Sequence, residues 1–167
     1  NSLCSFQKSG RTWVRYFLAN YINLNYKLNI DIDIISFYDF APSYKYDQIK
    51  KSCDKIDFYT DDIPLTLSTH SIYKKHLFSN TPIIFIIRSV YDVMASYYFH
   101  KNHHVSSYTA DISSFIRSEN GVQHLVKYMN SWSRYLINNK HLMVSYEDMH
   151  SSTKNTFTEI ILYLNIP

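Results

Sequence analysis

The chain has 167 residues, of which 46% are hydrophobic and 19% are charged, and its formal net charge at pH 7 is +3. These values are typical of a single folded domain over residues 1–167 that buries about 70% of its unfolded surface. The net positive charge is small and the sequence has no long basic run, which argues against nucleic acid as a partner. The chain has two cysteines, which exclude a disulfide framework and favour a cytoplasmic location.

Four short, largely apolar segments predict buried β-strands, and they are residues 2–6, 65–69, 82–88 and 141–146. A helical or polar segment follows each of them. Near-continuous apolar strands separated by helices favour a parallel sheet that is covered on both faces. We therefore predict the α/β class, as a three-layer α/β/α sandwich with a central parallel sheet.

Five segments have the apolar periodicity of helices, and they are residues 11–27, 90–101, 110–117, 122–137 and 152–164. The part between the first two strands is less regular. Residues 30–34 alternate between isoleucine and aspartate, which predicts a strand, and residues 38–46 predict an aromatic-rich loop. No internal repeat or linker divides the chain.

The longest apolar runs, residues 82–87 and 160–164, are far too short to cross a bilayer, so we predict no membrane span. The sequence opens at Asn1, almost inside its first predicted strand, and it stops at Pro167. We interpret it as incomplete at both ends, so that any upstream targeting or anchor segment would lie outside it. The oligomeric state is not readable from these patterns.

The chain contains two glycines, and Gly10 lies in the segment Phe-Gln-Lys-Ser-Gly-Arg-Thr-Trp at residues 6–13. A short strand, a turn with Lys8 and Gly10, and a helix start together predict an anion site, because helix N-termini present unpaired N–H groups. An ordinary strand–helix turn with a solvated lysine is the alternative. Lys8 precedes the glycine and no other glycine lies upstream, so neither a Walker A loop nor a Rossmann fingerprint fits.

Polar side chains follow all four predicted strands, at the sheet edge where open α/β proteins bind ligands. Lys8 follows the first strand and His70 the second, while Arg88 and Tyr146 stand at the ends of the third and the fourth. We expect Lys8, His70 and Arg88 to share one rim. Arg88 offers the planar fork that suits a phosphate group.

Structural interpretations stand beside these functional ones. His70 would be a surface or core histidine with its hydrogen bonds satisfied, and Arg88 would form a salt bridge with Asp92 or Asp148. The histidines within residues 100–104 invite a zinc site, but no cysteine or carboxylate accompanies them at ligand spacing, so no metal is predicted.

The four strand ends resemble motifs of sulfotransferases that use 3′-phosphoadenosine 5′-phosphosulfate (PAPS). Residues 6–13 are similar to the loop that holds the 5′-phosphosulfate, and residues 88–98, with an arginine and a serine eight residues apart, resemble the 3′-phosphate segment. Residues 68–70, Ser-Thr-His, resemble the strand end that supplies the catalytic histidine, and residues 146–149 resemble the family's tyrosine-acidic-acidic signature. The motifs follow the family's order over nearly the whole chain, which implies a P-loop-NTPase-like sulfotransferase fold.

The resemblance implies an enzyme that moves a sulfonate group from PAPS, its co-substrate, to the hydroxyl group of a small-molecule or carbohydrate acceptor by in-line displacement, without a metal. It implies that Lys8 neutralises the bridging oxygen and the 5′-phosphate, and that His70 takes the proton from the acceptor hydroxyl. Arg88 and Ser96 would hold the 3′-phosphate. The other donor-binding residues that it implies are Ser9, Gly10, Arg11 and Thr12 around the 5′-phosphate, and Trp13 and Tyr146 at the adenine.

The chain departs from the family's pattern at three positions and at its end. Gln7 stands in place of a proline, Ser68 in place of a lysine found in many animal members, and Arg11 gives a form more typical of bacterial-type members. The sequence stops at Pro167, before the family's Arg-Lys-Gly segment. Two alternatives therefore stand: a weak or inactive sulfotransferase-like interaction module, and a P-loop-type kinase or NTPase, which the missing Walker A pattern disfavours. The acceptor stays open among phenol, steroid, carbohydrate and lipid hydroxyls.

Overall fold

The computed structural model describes residues 1–57, 63–78, 81–104 and 110–167. Within them, four short strands form one sheet, and they are β1 (Ser2–Ser5), β2 (Leu67–Thr69), β3 (Ile83–Ile87) and β4 (His141–Ser145). All neighbouring pairs are parallel, and the strand order is β2-β1-β3-β4. The predicted strands and the central parallel sheet are confirmed, although each strand is one or two residues shorter than predicted.

Helices cover both faces of this sheet. In chain order, the described residues contain α1 (Arg11–Asn25), α2 (Phe37–Phe40), α3 (Tyr46–Cys53), α4 (Lys75–Phe78), α5 (Val90–Phe99), α6 (Ile112–Arg117), α7 (Val122–Asn138), α8 (Tyr146–Ser151) and α9 (Thr153–Leu164). A π-helical turn, His100–His104, follows α5, where the prediction continued the α-helix to residue 101. None of the helices in the described part of the chain combines the length and the apolar character that a bilayer span requires.

Alternate side chains of the strands enter two separate cores, as a sheet buried on both faces requires. Leu3, Ile84 and Ile86 pack on one face against apolar side chains of α1 and α9. Cys4 and Phe85 pack on the other face against α5 and α7. The predicted three-layer α/β/α sandwich is therefore confirmed.

The predicted strand at residues 30–34 is wrong. Asp33 Oδ1 accepts the N–H groups of Ile35 at 2.8 Å and of Ser36 at 2.6 Å, which closes a turn. The aspartate side chain thus captures backbone donors that a strand would offer to its neighbour. Ile34, which belongs to the alternating pattern, is 82% exposed.

Short helices occupy two places where the sequence predicts other structure. Residues 38–46, predicted as a loop, contain the end of α2, because the two phenylalanines of this helix are buried against α1. α8 begins directly after β4, since Ser145 Oγ accepts the N–H of Asp148 at 2.9 Å and caps the helix. Tyr146 therefore lies in the first turn of a helix and not at the end of a strand.

The chain changes its direction of winding at β1, which has β2 on one side and β3 on the other. The connection that follows β1 carries α1, and the connection that follows β3 carries α5 and α7 on the opposite face. This change leaves a crevice between the carboxyl ends of β1 and β3, where open α/β sheets bind their ligands.

Candidate active site

The segment between β1 and α1 is a tight turn with two left-handed residues, Lys8 at φ 65° and Gly10 at φ 99°. Gly10 is the N-cap of α1, and no side chain caps the helix. The first helical hydrogen bond runs from the Trp13 N–H to the Gly10 carbonyl oxygen at 2.9 Å. Among the described contacts, nothing accepts the N–H groups of Arg11 and Thr12. Free donors and the positive end of a helix dipole can bind an anion.

Gly10 also allows α8 to approach the turn closely. A Cβ atom at this position would lie 2.5 Å from Tyr146 Cδ2 and 2.9 Å from Met149 Cε. A side chain would therefore displace the tyrosine ring, in addition to the strain that a positive φ imposes on residues other than glycine. Both the backbone conformation and the packing of α8 require glycine here.

Arg88, which follows β3, joins the two sides of the crevice. Its Nη1 donates to the Lys8 carbonyl oxygen at 3.0 Å, and its guanidinium carbon lies 3.9 Å from the centre of the Tyr146 ring. Its Nε is buried and has no hydrogen-bond partner among the described residues. The side chain also lines the crevice, and a guanidinium has five N–H donors, so it can bind an acceptor group of a ligand there.

A salt bridge from Arg88 to Asp92 or Asp148, the structural alternative, is not found among the described residues. Asp148 instead accepts a side-chain hydrogen bond at the start of α8. Glu147 Oε1 accepts the Ser89 N–H at 2.9 Å, which ties the end of β3 to α8. The carboxylates of α8 thus accept a backbone N–H and a hydroxyl group, and they leave the Arg88 charge available.

A cavity of about 590 Å³ opens at the crevice, and we call it the Lys8–Arg88 cavity. Its lining combines cationic and aromatic side chains. The residues that line it are Lys8, Gly10, Thr12, Trp13, Tyr16, Phe37, Arg88, Ser96, Tyr146 and His150. Seven of these belong to the donor-binding set that the sulfotransferase resemblance implies, and they come from three separate segments. Two members of that set do not line this cavity: Ser9, which is 3% exposed, and Arg11.

A second cavity of about 260 Å³ lies on the other side of the same loop, and we call it the His70 cavity. It shares Lys8, Gly10 and Thr12 with the Lys8–Arg88 cavity, so the loop is a wall between the two. The other residues that line it are Gln7, Arg11, Arg15, Tyr38, His70 and His100. The structure therefore brings Lys8, His70 and Arg88 together at one edge of the sheet.

His70 follows β2 and contacts the end of β1. Its Nδ1 lies 2.8 Å from the Ser5 carbonyl oxygen, and because a carbonyl can only accept, Nδ1 carries the proton and donates. In the neutral ring Nε2 is then the basic nitrogen. Burial, and after it the charges of Arg11, Arg15 and Lys8, lower the pKa of His70 to about 4, so the ring is neutral at pH 7.

Several residues that line these cavities were not predicted from the sequence. Arg15 follows Arg11 by one helical turn, and His150 follows Tyr146 by the same spacing, so each pair shares a helix face. This spacing is a signal that could have identified Arg15 and His150. Phe37 of α2 carries no comparable signal, since its place depends on how residues 26–45 fold against α1.

Neither the histidines nor the cysteines form a cluster in the part of the chain that the structure describes. No group of three histidine, cysteine or carboxylate side chains there is close enough to hold a metal ion. His100 lines the His70 cavity, and His103 is exposed. Cys4 and Cys53 are both free thiols, and Cys4 is buried.

Solved structures of similar fold contain the nucleotide PAP. Mouse sulfotransferase SULT7A1 complexed with PAP is 16% identical, with a TM-score of 0.58, and the match covers 99% of this chain and 58% of that one. Retinol dehydratase in a complex with retinol and PAP is 13% identical, with a TM-score of 0.58 and coverage of 98% and 59%. Retinol dehydratase in complex with androsterone and inactive cofactor PAP is 14% identical, with a TM-score of 0.58 and coverage of 98% and 58%. The chain thus spans a little under three fifths of these proteins, and the likeness confirms the predicted fold.

Sequence comparison identifies the family. No curated protein matches the sequence significantly. The family model described as the sulfotransferase domain matches residues 2–167, nearly the whole chain, and confirms the resemblance that the four motifs indicate. The chain belongs to the sulfotransferase domain family.

Proposed function

We propose that the chain transfers a sulfonate group from PAPS to the hydroxyl group of an acceptor. The observation that carries this proposal is the position of Lys8, which lines both the Lys8–Arg88 cavity and the His70 cavity. A group at that boundary can act on a donor on one side and an acceptor on the other. The family match and the PAP named in the similar structures support the nature of the donor.

The chemistry of the Lys8–Arg88 cavity fits a nucleotide with two separate anionic groups. One group would meet the free N–H donors at the start of α1 and the ammonium of Lys8. The other would meet Ser96 and the guanidinium of Arg88, whose buried Nε has no partner among the described residues. Trp13 and Tyr146 offer aromatic faces to an adenine in the same cavity.

The donor, when bound, supplies a sulfonate on a phosphate leaving group. Lys8 places a compact positive charge where negative charge develops on that phosphate, and such electrostatic stabilisation is usually the largest catalytic effect. His70 Nε2 takes the proton of the acceptor hydroxyl, and its bond to the Ser5 carbonyl keeps the ring in the tautomer that leaves Nε2 basic.

The low pKa of His70 in the free chain follows from burial and from nearby positive charges. A base is most effective when its pKa lies near the working pH. Anionic ligands next to Lys8 and Arg11 would offset those charges and raise the pKa of His70. The histidine would therefore become a better base when the site is filled.

Thermal unfolding with nucleotides tests the donor assignment. We expect PAP to raise the melting temperature more than ATP with magnesium does, and a ligand at 100 times its Kd stabilises by about 2.7 kcal/mol. Arg88→Gln should weaken PAP binding by about 10- to 100-fold, because it removes a charge-assisted contact. Arg134→Gln, on the exposed surface of α7, is the matched control and should bind PAP normally.

Three results would contradict or change this proposal. No stabilisation by PAP would count against PAPS as the donor. Greater stabilisation by ATP, dependent on magnesium, would favour the kinase or NTPase alternative. Binding of PAP without sulfonate transfer to phenol, steroid, carbohydrate and lipid hydroxyls would favour the interaction module.

A further inference from the structure

Two arginines of α1 line the His70 cavity and do not line the Lys8–Arg88 cavity. Arg11 and Arg15 are one helical turn apart, so they share a face of the helix. Both also line an adjoining cavity of about 330 Å³, together with Tyr38. The space next to His70 therefore holds two positive charges that lie outside the Lys8–Arg88 cavity.

Arg15 is 2% exposed, which is unusual for a charged side chain. Its Nη2 donates to the Tyr38 carbonyl oxygen at 3.3 Å, and its guanidinium carbon lies 4.1 Å from the centre of the Tyr38 ring. Its Nε is buried and has no partner among the described residues. Burial, and after it the charge of Arg11, lower the pKa of Arg15 to about 10, and the guanidinium stays charged at pH 7.

No carboxylate in the described part of the chain forms an ion pair with Arg15. Asp39 lines the adjoining cavity, but its carboxylate pairs with the ammonium of Lys55. Buried charges are costly unless an opposite charge accompanies them. Two neighbouring guanidinium groups without such a partner would be stabilised by an anion between them.

We propose that the acceptor carries, in addition to its hydroxyl, an anionic group (a carboxylate, sulfate or phosphate) that Arg11 and Arg15 bind. This inference rests on the proposed function, which makes the His70 cavity the acceptor side. An acceptor held by its anionic group on α1 would present its hydroxyl to His70 across the same cavity. A neutral phenol or steroid would leave both charges uncompensated and would bind more weakly.

An NMR titration of the wild-type chain saturated with PAP is the first test, observed at the arginine Nε–H groups. Sodium acetate and sodium sulfate are the probes, because neither depends on the scaffold of the acceptor. We expect a saturable shift of the Arg15 signal at millimolar anion, and none at the exposed Arg134. An Arg15 signal that does not move, or that moves without saturation as Arg134 does, would overturn the proposal.

Substitution of Arg15 is the second test. Arg15→Met removes the charge but keeps an apolar stem on the Tyr38 ring, so acetate affinity should fall by about 10- to 100-fold. Arg134→Met should leave it unchanged. If Arg15→Met does not fold, Arg15→Gln replaces it. Unchanged acetate affinity in a folded variant would contradict the proposal.

The affinities of PAPS and PAP distinguish an acceptor group from the transferred sulfonate. Under the proposal, Arg15→Met leaves both affinities unchanged, because the donor does not touch Arg15. A loss for PAPS alone would assign Arg15 to the sulfonate and would overturn the proposal. Failure of the wild-type chain to bind PAP would instead contradict the proposed function, and the titration of the free chain would still report on anion binding at Arg15.

Discussion

Arg88 and Arg15 lie in different cavities, yet the fold holds them in the same way. Each guanidinium lies over a tyrosine ring, at 3.9 Å for Arg88 and 4.1 Å for Arg15. Each donates one hydrogen bond to a backbone carbonyl, and each has a buried Nε without a partner among the described residues. An aromatic ring and one carbonyl thus hold the charge in position and leave its other donors for a ligand.

The two surroundings differ in their side chains. The start of α1 borders both cavities through Gly10 and Thr12. Arg88 lines only the Lys8–Arg88 cavity, whereas Arg11 and Arg15 line only the His70 cavity of this pair. Backbone donors suit any phosphate or sulfonate, and a side-chain set can be specific for one acceptor. We therefore expect the first cavity to carry the common chemistry and the second to select the substrate.

Lys8→Met should cause the largest loss, since Lys8 belongs to both cavities. Sulfonate transfer should fall by about 10³- to 10⁵-fold, which is the range for removal of a cation at a phosphoryl transition state. PAP affinity should fall by about tenfold only. Transfer rates and PAP titrations measure the two effects, with the exposed Lys127→Met as control. Loss of affinity alone, without loss of rate, would restrict Lys8 to binding.

His70→Gln should affect the His70 cavity and leave donor binding in the Lys8–Arg88 cavity intact. Transfer should fall by about 10²- to 10⁴-fold because a general base is lost, while PAP affinity stays within about twofold. The matched control is His141→Gln, at the opposite end of the sheet. Equal losses of rate and PAP affinity would refute this division of roles.

Acid should destabilise the wild-type chain through His70. The pKa of His70 is about 4 in the folded chain against 6.5 when unfolded, so between these values the unfolded state binds a proton that the folded state does not. Stability should therefore fall as the pH drops from 6.5 towards 4, by up to about 3 kcal/mol. Urea unfolding at about pH 7 and about pH 4.5 should show a smaller acid loss for His70→Gln. Identical losses would argue against a buried neutral ring.

Substitution of either glycine should have the smallest effect, and only one of the two substitutions should weaken PAP binding. Gly10→Ala and Gly121→Ala should both lower the free energy of unfolding by about 1–3 kcal/mol. A Cβ at Gly10 would clash with Tyr146, and one at Gly121 would lie 2.3 Å from the Ile116 and Phe115 carbonyl oxygens. Gly10→Ala should also weaken PAP binding by about tenfold, because it moves Tyr146 and the free N–H groups. Similar PAP affinities for the two variants would contradict the role of the turn.

The fold and the family were predictable because their signals are local. Runs such as residues 83–87 are apolar on both strand faces, and this pattern favours a parallel sheet between two helical layers. The prediction of a strand at residues 30–34 was wrong for an equally local reason, because the Asp33 side chain accepts the N–H groups of Ile35 and Ser36. The start of α8 was missed because its cap, Ser145, is also the last residue of β4.

The sequence by itself determined the sheet, the family and the residues of the anion-binding turn, because each depends on neighbours a few positions apart. Tertiary structure alone decided which of these residues meet. The order β2-β1-β3-β4 brings Arg88 to the Lys8 carbonyl across 80 residues of chain. It also buries Arg15 under Tyr38 and gives His70 its low pKa, because burial and charge proximity depend on packing between elements that are distant in the chain.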